Sequence, residues 1–339
     1  MKKHLWTICF SAVLIAFTAY IALDTFVIST GYAAAADMNT EMFSALTENT
    51  ESTVLSEYAT QGEDNSSEDS TSSKHNRNHT SKSSEEDLSD GVSIGASSSA
   101  ANENTYTTDD CTITLTEYEQ YNSKIYVADI TLSSVQYLKT AFANDTYGKN
   151  ITAKTSSIAE AHNAVLAING DYYGVKESGY VIRNGIVYRD ISNGSDVLCI
   201  YADGTMEVVS DRDYTADELV SMGVWQAFTF GPALVENSSV TVGVNDEVGK
   251  AKASNPRTAI GIIDTNHFLF VVSDGRTTES EGLSLYELAT FMQSLGVKTA
   301  YNLDGGGSST MYFNGSVVNN PTSGGSIKER KVSDIVYIG

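Results

Sequence analysis

The stretch Leu283–Gly315, LSLYELATFMQSLGVKTAYNLDGGGSSTMYFNG, holds a helix, a strand, three glycines and a second strand, and its reading decides the fold. Leu285, Leu288, Met292 and Leu295 recur at three- and four-residue spacing, which predicts an amphipathic helix stopped by Gly296. That stripe is core and carries no chemistry. In KTAYNLD successive side chains alternate between faces, so Asn302 and Asp304 share one side and Leu303 takes the other. A hairpin needs one or two glycines. Three in a row, Gly305, Gly306 and Gly307, open conformations closed to other residues and present N–H groups able to cradle an anion.

Working outward, other apolar strands also end in polar residues, where a rigid scaffold can hold reactive groups. VLAING runs into Gly170-Asp171-Tyr172-Tyr173, and the same parity sets Asn169 and Asp171 together. FLFVVSD ends at Asp274, before Gly275-Arg276, and Arg257 follows Asn255-Pro256 to open TAIGIID. Three strand-end carboxylates and two arginines thus become candidates to converge. Asp203-Gly204 reads as a plain turn, Asn184-Gly185 as a hairpin turn, and TITLTEYEQ and KIYVADITL as strands paired around Tyr121-Asn122-Ser123. SSIAEAHNAV and TADELVSMG read as short helices, and WQAFTFGPALV as a strand. The expected class is α+β, with layered mixed or antiparallel sheets covered by a few helices in a single domain over residues 106–339.

Residues 1–36 differ in kind. A basic head precedes an apolar run from Leu5 to Leu23, which predicts a membrane-crossing signal-anchor or, with Ala33–Ala36 as cleavage site, an export signal. The retained anchor is favoured, placing the rest on the extracytoplasmic face of a cell membrane; a cleaved signal would make the protein secreted. Residues 37–105 are rich in Ser, Thr, Asn, Glu and Asp, too poor in apolar surface to offset chain entropy, and are read as a disordered acidic stalk. With 43 Asp and Glu against 21 Lys and Arg, the net charge of −22 disfavours a nucleic-acid partner. No CxxC exists for a zinc ribbon, and Cys111 and Cys199 are as compatible with a disulfide as with two buried thiols. Only His162 and His267 fall in the folded part, so HExxH zinc chemistry is out and a Ser-His-Asp triad has few candidate bases; GxSxG and P-loop motifs are missing too.

NGDYY, FGPALV, RTAIGI, SDGR and above all the Leu283–Gly315 string closely resemble the phosphodiester glycosidase domain family, from about Ala153 to the C-terminus. The resemblance implies hydrolysis of a sugar-1-phosphodiester of the GlcNAc-1-phosphodiester type in a cell-envelope or secreted glycan, releasing the sugar and leaving a phosphate monoester. It carries across Asn169, Gly170, Asp171, Gly231, Pro232, Arg257, Asp274, Arg276, Asn302, Asp304 and the three glycines. Two departures stand out. ERKVSDIVYIG differs from the expected Arg-x-Val-x-Asn/Asp-type segment, with Arg330 and Asp334 as its nearest counterparts, and Tyr172-Tyr173 replace frequent phenylalanines.

The residues suit that chemistry. The leaving group is a phosphate monoester, already a weak base, so protonating it matters less than in an ordinary glycoside. Arg257 and Arg276 are expected to clamp the phosphate with planar paired donors, assisted by the amides of Gly305–Gly307, with Asn169, Gly170 and Asn302 completing the binding set. Asp304, then Asp171, are the expected nucleophile or base, with Asp274 a third catalytic candidate; their separation decides the roles. Asp171, Asp274, Asp304 and Asn302 are also hard ligands suited to Ca²⁺ or Mg²⁺, without the spacing of a calcium loop. The competing readings are a non-catalytic glycan-binding or exopolysaccharide-assembly protein with the same pocket, and a phosphodiesterase cleaving P–O instead of C–O.

Overall fold

The computed structural model describes residues 104–246 and 254–339 and, before them, only residues 14–18, 20, 30–31 and 100–102. Three large antiparallel sheets and two two-stranded ones make up the described fold. The central sheet has nine strands, in the order Ser239–Val240, Ala233–Glu236, Thr299–Asn302, Arg257–Asp264, His267–Ser273, Ser123–Leu132, Cys111–Gln120, Thr105–Thr107 and Ala100–Asn102. A second sheet runs Ile186–Ile191, Gly179–Arg183, Val224–Phe228, Asp196–Tyr201, Met206–Ser210. A third runs Ser316–Val317, Met311–Phe313, Leu166–Asn169, Asp334–Ile338, Leu138–Phe142. The pairings within all three are antiparallel, so the mixed alternative gives way to hairpins and long-range antiparallel partners.

Period-two alternation sorts the core into two layers. In His267–Ser273, Phe268, Phe270 and Val272 enter the main core, where they meet Leu166, Ile168, Leu198, Phe228, Met311 and Val336 from the other two sheets. Leu269 and Val271 point the other way, onto the helix Leu285–Ser294 through Leu285, Leu288, Ala289, Phe291 and Met292. This is the apolar stripe of the sequence; Ser284 and Glu287 close a capping box at its start, and Gly296, at φ +86°, follows its end. The short helices Thr155–Ala161 and Ala216–Ser221 stand where SSIAEAHNAV and TADELVSMG place them. Asn184-Gly185 and Tyr121-Asn122 are two-residue hairpin turns with positive φ throughout. WQAFTFGPALV is two strands in two different sheets, Val224–Phe228 and Ala233–Glu236, separated by the cis Gly231–Pro232 bond.

One open question is decided and one expectation changes. Cys111 and Cys199 are separate buried thiols, and burial pushes the Cys199 thiol well above its ordinary value. The membrane location is corrected as well: among the described residues no helix is long and apolar enough to cross a membrane. Most of the Leu5–Leu23 run and nearly all of the acidic stretch 37–105 lie outside the described residues.

Candidate active site

Two strand ends meet at the core of the candidate site. Leu166–Asn169 of the third sheet and Thr299–Asn302 of the central sheet finish side by side, tied by Asp304 N–H donating to the Gly170 carbonyl at 3.3 Å. Asn169 makes the junction rigid. Its Nδ2 donates to the Asp304 carbonyl at 2.7 Å, and its Oδ1 accepts from Thr258 Oγ1 at 2.9 Å and Thr310 N at 3.3 Å. Asn302 Nδ2 donates to the Gly231 carbonyl at 2.8 Å, while its Oδ1 is buried with no hydrogen-bond partner among the described residues.

Behind this junction lies a buried ionic triad. Arg183, Asp171 and Asp334 are each about 1% exposed. Arg183 Nη2 is 2.9 Å from Asp171 Oδ1, and its Nε is 2.9 Å from Asp334 Oδ2. The remaining donors go to the Ile182 and Ala227 carbonyls. Asp171 also accepts from Tyr173 N at 3.2 Å and, through Oδ2, from Thr229 N at 2.9 Å. Burial pushes the Asp334 carboxyl up; Arg183 opposes the shift and the Asp171 charge adds to it. Asp334 Oδ1 is buried without a partner among the described residues, and a Cβ on Gly170 would sit 2.1 Å from it. Gly170 is therefore a packing requirement set by that carboxylate.

Asp304 stands nearer to solvent, at 8% exposure. Its Oδ2 accepts from Ser308 Oγ at 2.6 Å and from Arg330 Nη2 at 2.8 Å. Burial pushes this carboxyl up as well, opposed first by the Arg330 charge and then by the Ser308 hydrogen bond. Arg330 is itself held by Ser308 Oγ and the Gly305 carbonyl, with its guanidinium 5.9 Å from the half-exposed ring of Tyr172.

The glycine run packs between arginines. A Cβ on Gly305 would lie 2.8 Å from the Pro256 carbonyl and 3.9 Å from Arg257 Cδ, and one on Gly306 would lie 2.8 Å from Arg276 Nη2. Gly306 also has φ +63°. Arg276 is exposed, anchored by Nε and Nη2 to Asn255 Oδ1 at 3.1 and 3.0 Å, while buried Arg257 sends Nε to the Leu283 carbonyl at 2.8 Å. Tyr172 and Arg276 are both left-handed, φ 68° and 63°, a conformation that costs about 1–3 kcal/mol for a non-glycine residue and clusters at functional sites.

Most of the sequence candidates thus come together: Asn169, Gly170, Asp171, Asn302, Asp304 and Gly305–Gly307 at the strand ends, with Arg257 and Arg276 against the glycines. Asp274 belongs to a different hydrogen-bond set. Its Oδ1 accepts from Asn319 Nδ2 and Asn320 N, and its Oδ2 from Asn320 Nδ2 and, at 3.5 Å, Tyr126. With Asp171, Asp274 and Asp304 distributed over three such sets, no group of three or more His, Cys, Asp or Glu fit to hold a metal ion is present among the described residues. Arg183 was missed from sequence, although a lone arginine ending the apolar strand VIR was a signal. Lys176 was missed too. Its Nζ donates to the Thr229 carbonyl at 2.9 Å and lies 4.8 Å from the centre of the Phe230 ring; burial pushes its ammonium down, opposed by Asp171 and, less strongly, Asp304.

A glycine-flanked carboxylate at a strand end, with arginines on both sides of the glycines, is an arrangement able to hold an anionic ligand. The chain belongs to the phosphodiester glycosidase family, whose pattern matches residues 162–339. It is 28% identical over 186 residues to human N-acetylglucosamine-1-phosphodiester alpha-N-acetylglucosaminidase, covering 50% of this chain and 36% of that protein. It is 32% identical over 190 residues to the SPbeta prophage-derived uncharacterized protein YomE of Bacillus subtilis, covering 54% of this chain and 29% of that protein. The matches thus span about a third of the length of these relatives. The fold is shared with the catalytic domain of the zebrafish N-acetylglucosamine-1-phosphodiester alpha-N-acetylglucosaminidase, auto-inhibited by its pro-peptide, at a TM-score of 0.53 and 19% identity over 68% of this chain and 82% of that one.

Proposed function

We propose that residues 106–339 form a hydrolase domain that cleaves a sugar-1-phosphodiester of the GlcNAc-1-phosphodiester type within a phosphosugar-containing glycan, releasing the sugar and leaving a phosphate monoester. The observation that carries this is the position of Asp304. It is a carboxylate at the edge of solvent, opening a glycine run that packs against Arg276 and Arg257 and bonded to Arg330. The human relative's name supports the choice of sugar.

In this mechanism the arginines bind the phosphate and draw off negative charge as the C1–O bond breaks; the glycine amides expected to assist do not all do so, because Gly306 N–H is spent on the Pro256 carbonyl at 2.7 Å. Asp304 supports the oxocarbenium-like centre, either by attacking C1 or by directing water to it. Asp171 is a positioning residue: with both oxygens engaged and about 1% exposed, it and Asp334 fix the strand end through Arg183. Asn169 and Asn302 hold the same backbone, and Asp274 secures the Asn319-Asn320 loop.

The test is hydrolysis in ¹⁸O-labelled water. Label in the released sugar supports attack at carbon. Label in the phosphate would mean P–O cleavage and would refute the glycosidase reading.

A further inference from the structure

Glu329 and Arg330 are neighbours in sequence that face opposite ways. Arg330 turns toward the candidate site, where Nη2 donates to Asp304 Oδ2 at 2.8 Å and Nε to Ser308 Oγ at 2.8 Å. Glu329 turns toward the helix Thr155–Ala161: its Oε1 accepts from Ser156 N at 2.9 Å and its Oε2 from Ser156 Oγ at 2.6 Å. An extended backbone sends successive side chains to opposite sides, so this one pair of residues joins the helix to the carboxylate at the strand end.

The helix lacks a cap of its own. The first N–H groups of a helix find no acceptor within it, and here Lys154 at the N-cap makes no side-chain bond and the first turn holds no acidic residue. The helices Ala216–Ser221 and Leu285–Ser294 are capped locally, by Thr215 with Glu218 and by Ser284 with Glu287. For Thr155–Ala161 the acceptor comes from Glu329, 173 residues away. The helix is a firm grip, because Ile158 and Ala159 pack in one buried cluster with Val332, Ile335 and Tyr337.

Backbone bonds set only the path of the segment 328–332. Lys328 N donates to the Pro321 carbonyl at 2.7 Å, Arg330 N to the Gly307 carbonyl at 3.1 Å and Val332 N to the Ala153 carbonyl at 2.7 Å. The Arg330 side chain is 41% exposed, and holding so long a side chain in one geometry costs rotamer entropy. The two bonds to Ser156 stop the segment from turning about its own axis, a motion that would lift Arg330 from Asp304. We propose that Glu329 is a positioning residue: by gripping Ser156 it orients the segment 328–332 so that Arg330 stays on Asp304 and Ser308. Its effect on turnover rests on the hydrolase reading above, in which it acts on kcat without touching the substrate.

The full chain is assayed on a GlcNAc-1-phosphodiester whose second ester is methyl. Glu329→Ala should lower kcat about tenfold and leave KM within about twofold, the scale of one released charged hydrogen-bonded contact. Glu329→Gln, whose carboxamide can accept from Ser156 N–H and donate to Ser156 Oγ, should bring kcat back to within about threefold of wild type. In Arg330→Met, adding Glu329→Ala should alter kcat by less than about twofold, because the two residues act as a unit. A role confined to capping the helix would lower the unfolding temperature with kcat unchanged, or would add a full further loss to that of Arg330→Met; either result overturns the proposal. If Glu329→Ala fails to fold, Ser156→Ala decides, since it keeps the N–H bond and removes the hydroxyl. A kcat about threefold lower at unchanged KM supports the proposal, and an unchanged kcat overturns it. If the wild type cleaves nothing, the hydrolase reading fails, and NMR of the ¹⁵N-arginine-labelled full chain decides the placement of Arg330 alone, its Nε–H resonance being assigned by its loss in Arg330→Met. A resonance displaced in Glu329→Ala and kept in Glu329→Gln supports the proposal; one unchanged in Glu329→Ala overturns it.

Discussion

Replacing Arg183 with methionine removes the cation that stands between two carboxylates, each about 1% exposed. With both ionised, the triad carries one net negative charge; without Arg183 it carries two, in a place water does not reach. Breaking a buried pair in this way costs about 3–5 kcal/mol. At about 2–4 °C per kcal/mol for a domain of this size, Arg183→Met should lower Tm by roughly 6–20 °C. The loss must also depend on pH. Burial already raises the Asp334 carboxyl and Arg183 restrains it, so removing Arg183 raises it further. A carboxyl raised on folding contributes stability that is fully present below its unfolded pKa of about 3.9 and is lost as pH rises through the folded value. The variant should therefore sit closer to wild type at pH 5 than at pH 8, and Asp334→Asn added to it should recover part of the difference. Thermal unfolding followed by circular dichroism at both pH values measures this. A fall in Tm of less than about 2 °C at pH 8, or an equal fall at both pH values, would show that the triad is not held together by charge.

Three more outcomes follow from the same geometry. Arg330→Met removes the charge that opposes the burial of Asp304, so the acid limb of kcat/KM should move to higher pH along with a lower rate; a limb that stays in place would detach Asp304 from that limb. Gly170→Ala places a methyl 2.1 Å from Asp334 Oδ1 and should cost about 1–3 kcal/mol in urea denaturation, whereas wild-type stability would mean that the strand end moves freely. Arg276→Ala removes a guanidinium anchored to Asn255 beside Gly306 and should raise KM for the phosphodiester about tenfold or more; an unchanged KM would place the phosphate elsewhere.

Local signals carried far into this fold. The helix Leu285–Ser294 was legible because its apolar period and the Gly296 stop lie close together in the sequence. The hairpin at Asn184-Gly185 was legible because Asn and Gly tolerate positive φ, and the one at Tyr121-Asn122 because the strands on either side of it alternate. Strand parity paired Asn169 with Asp171 and Asn302 with Asp304, but the strands stop at Asn169 and Asn302 and each aspartate takes partners of its own; what joins the two strand ends is the Asn169 bond to the Asp304 carbonyl. The choice of arginines was not legible. Arg183 reaches Asp334 across 151 residues of sequence, and Asp304 is met by Arg330 instead of the arginines chosen from its neighbouring strands. Asp274 shows the converse. SDGR reads as a reactive strand end, yet the partners that engage its carboxylate, Asn319 and Asn320, come from a loop whose position only tertiary packing sets.

The most direct test of the account is release of free GlcNAc from a GlcNAc-1-phosphodiester by the full chain, measured beside Asp304→Asn. The account predicts turnover in the wild type and a loss of about 100- to 10,000-fold in a variant that stays folded and still binds the substrate. Turnover that survives Asp304→Asn unchanged would contradict the assignment of the chemistry to this carboxylate, and a folded wild type that binds the diester without cleaving it would make the protein a glycan-binding relative of the family's enzymes.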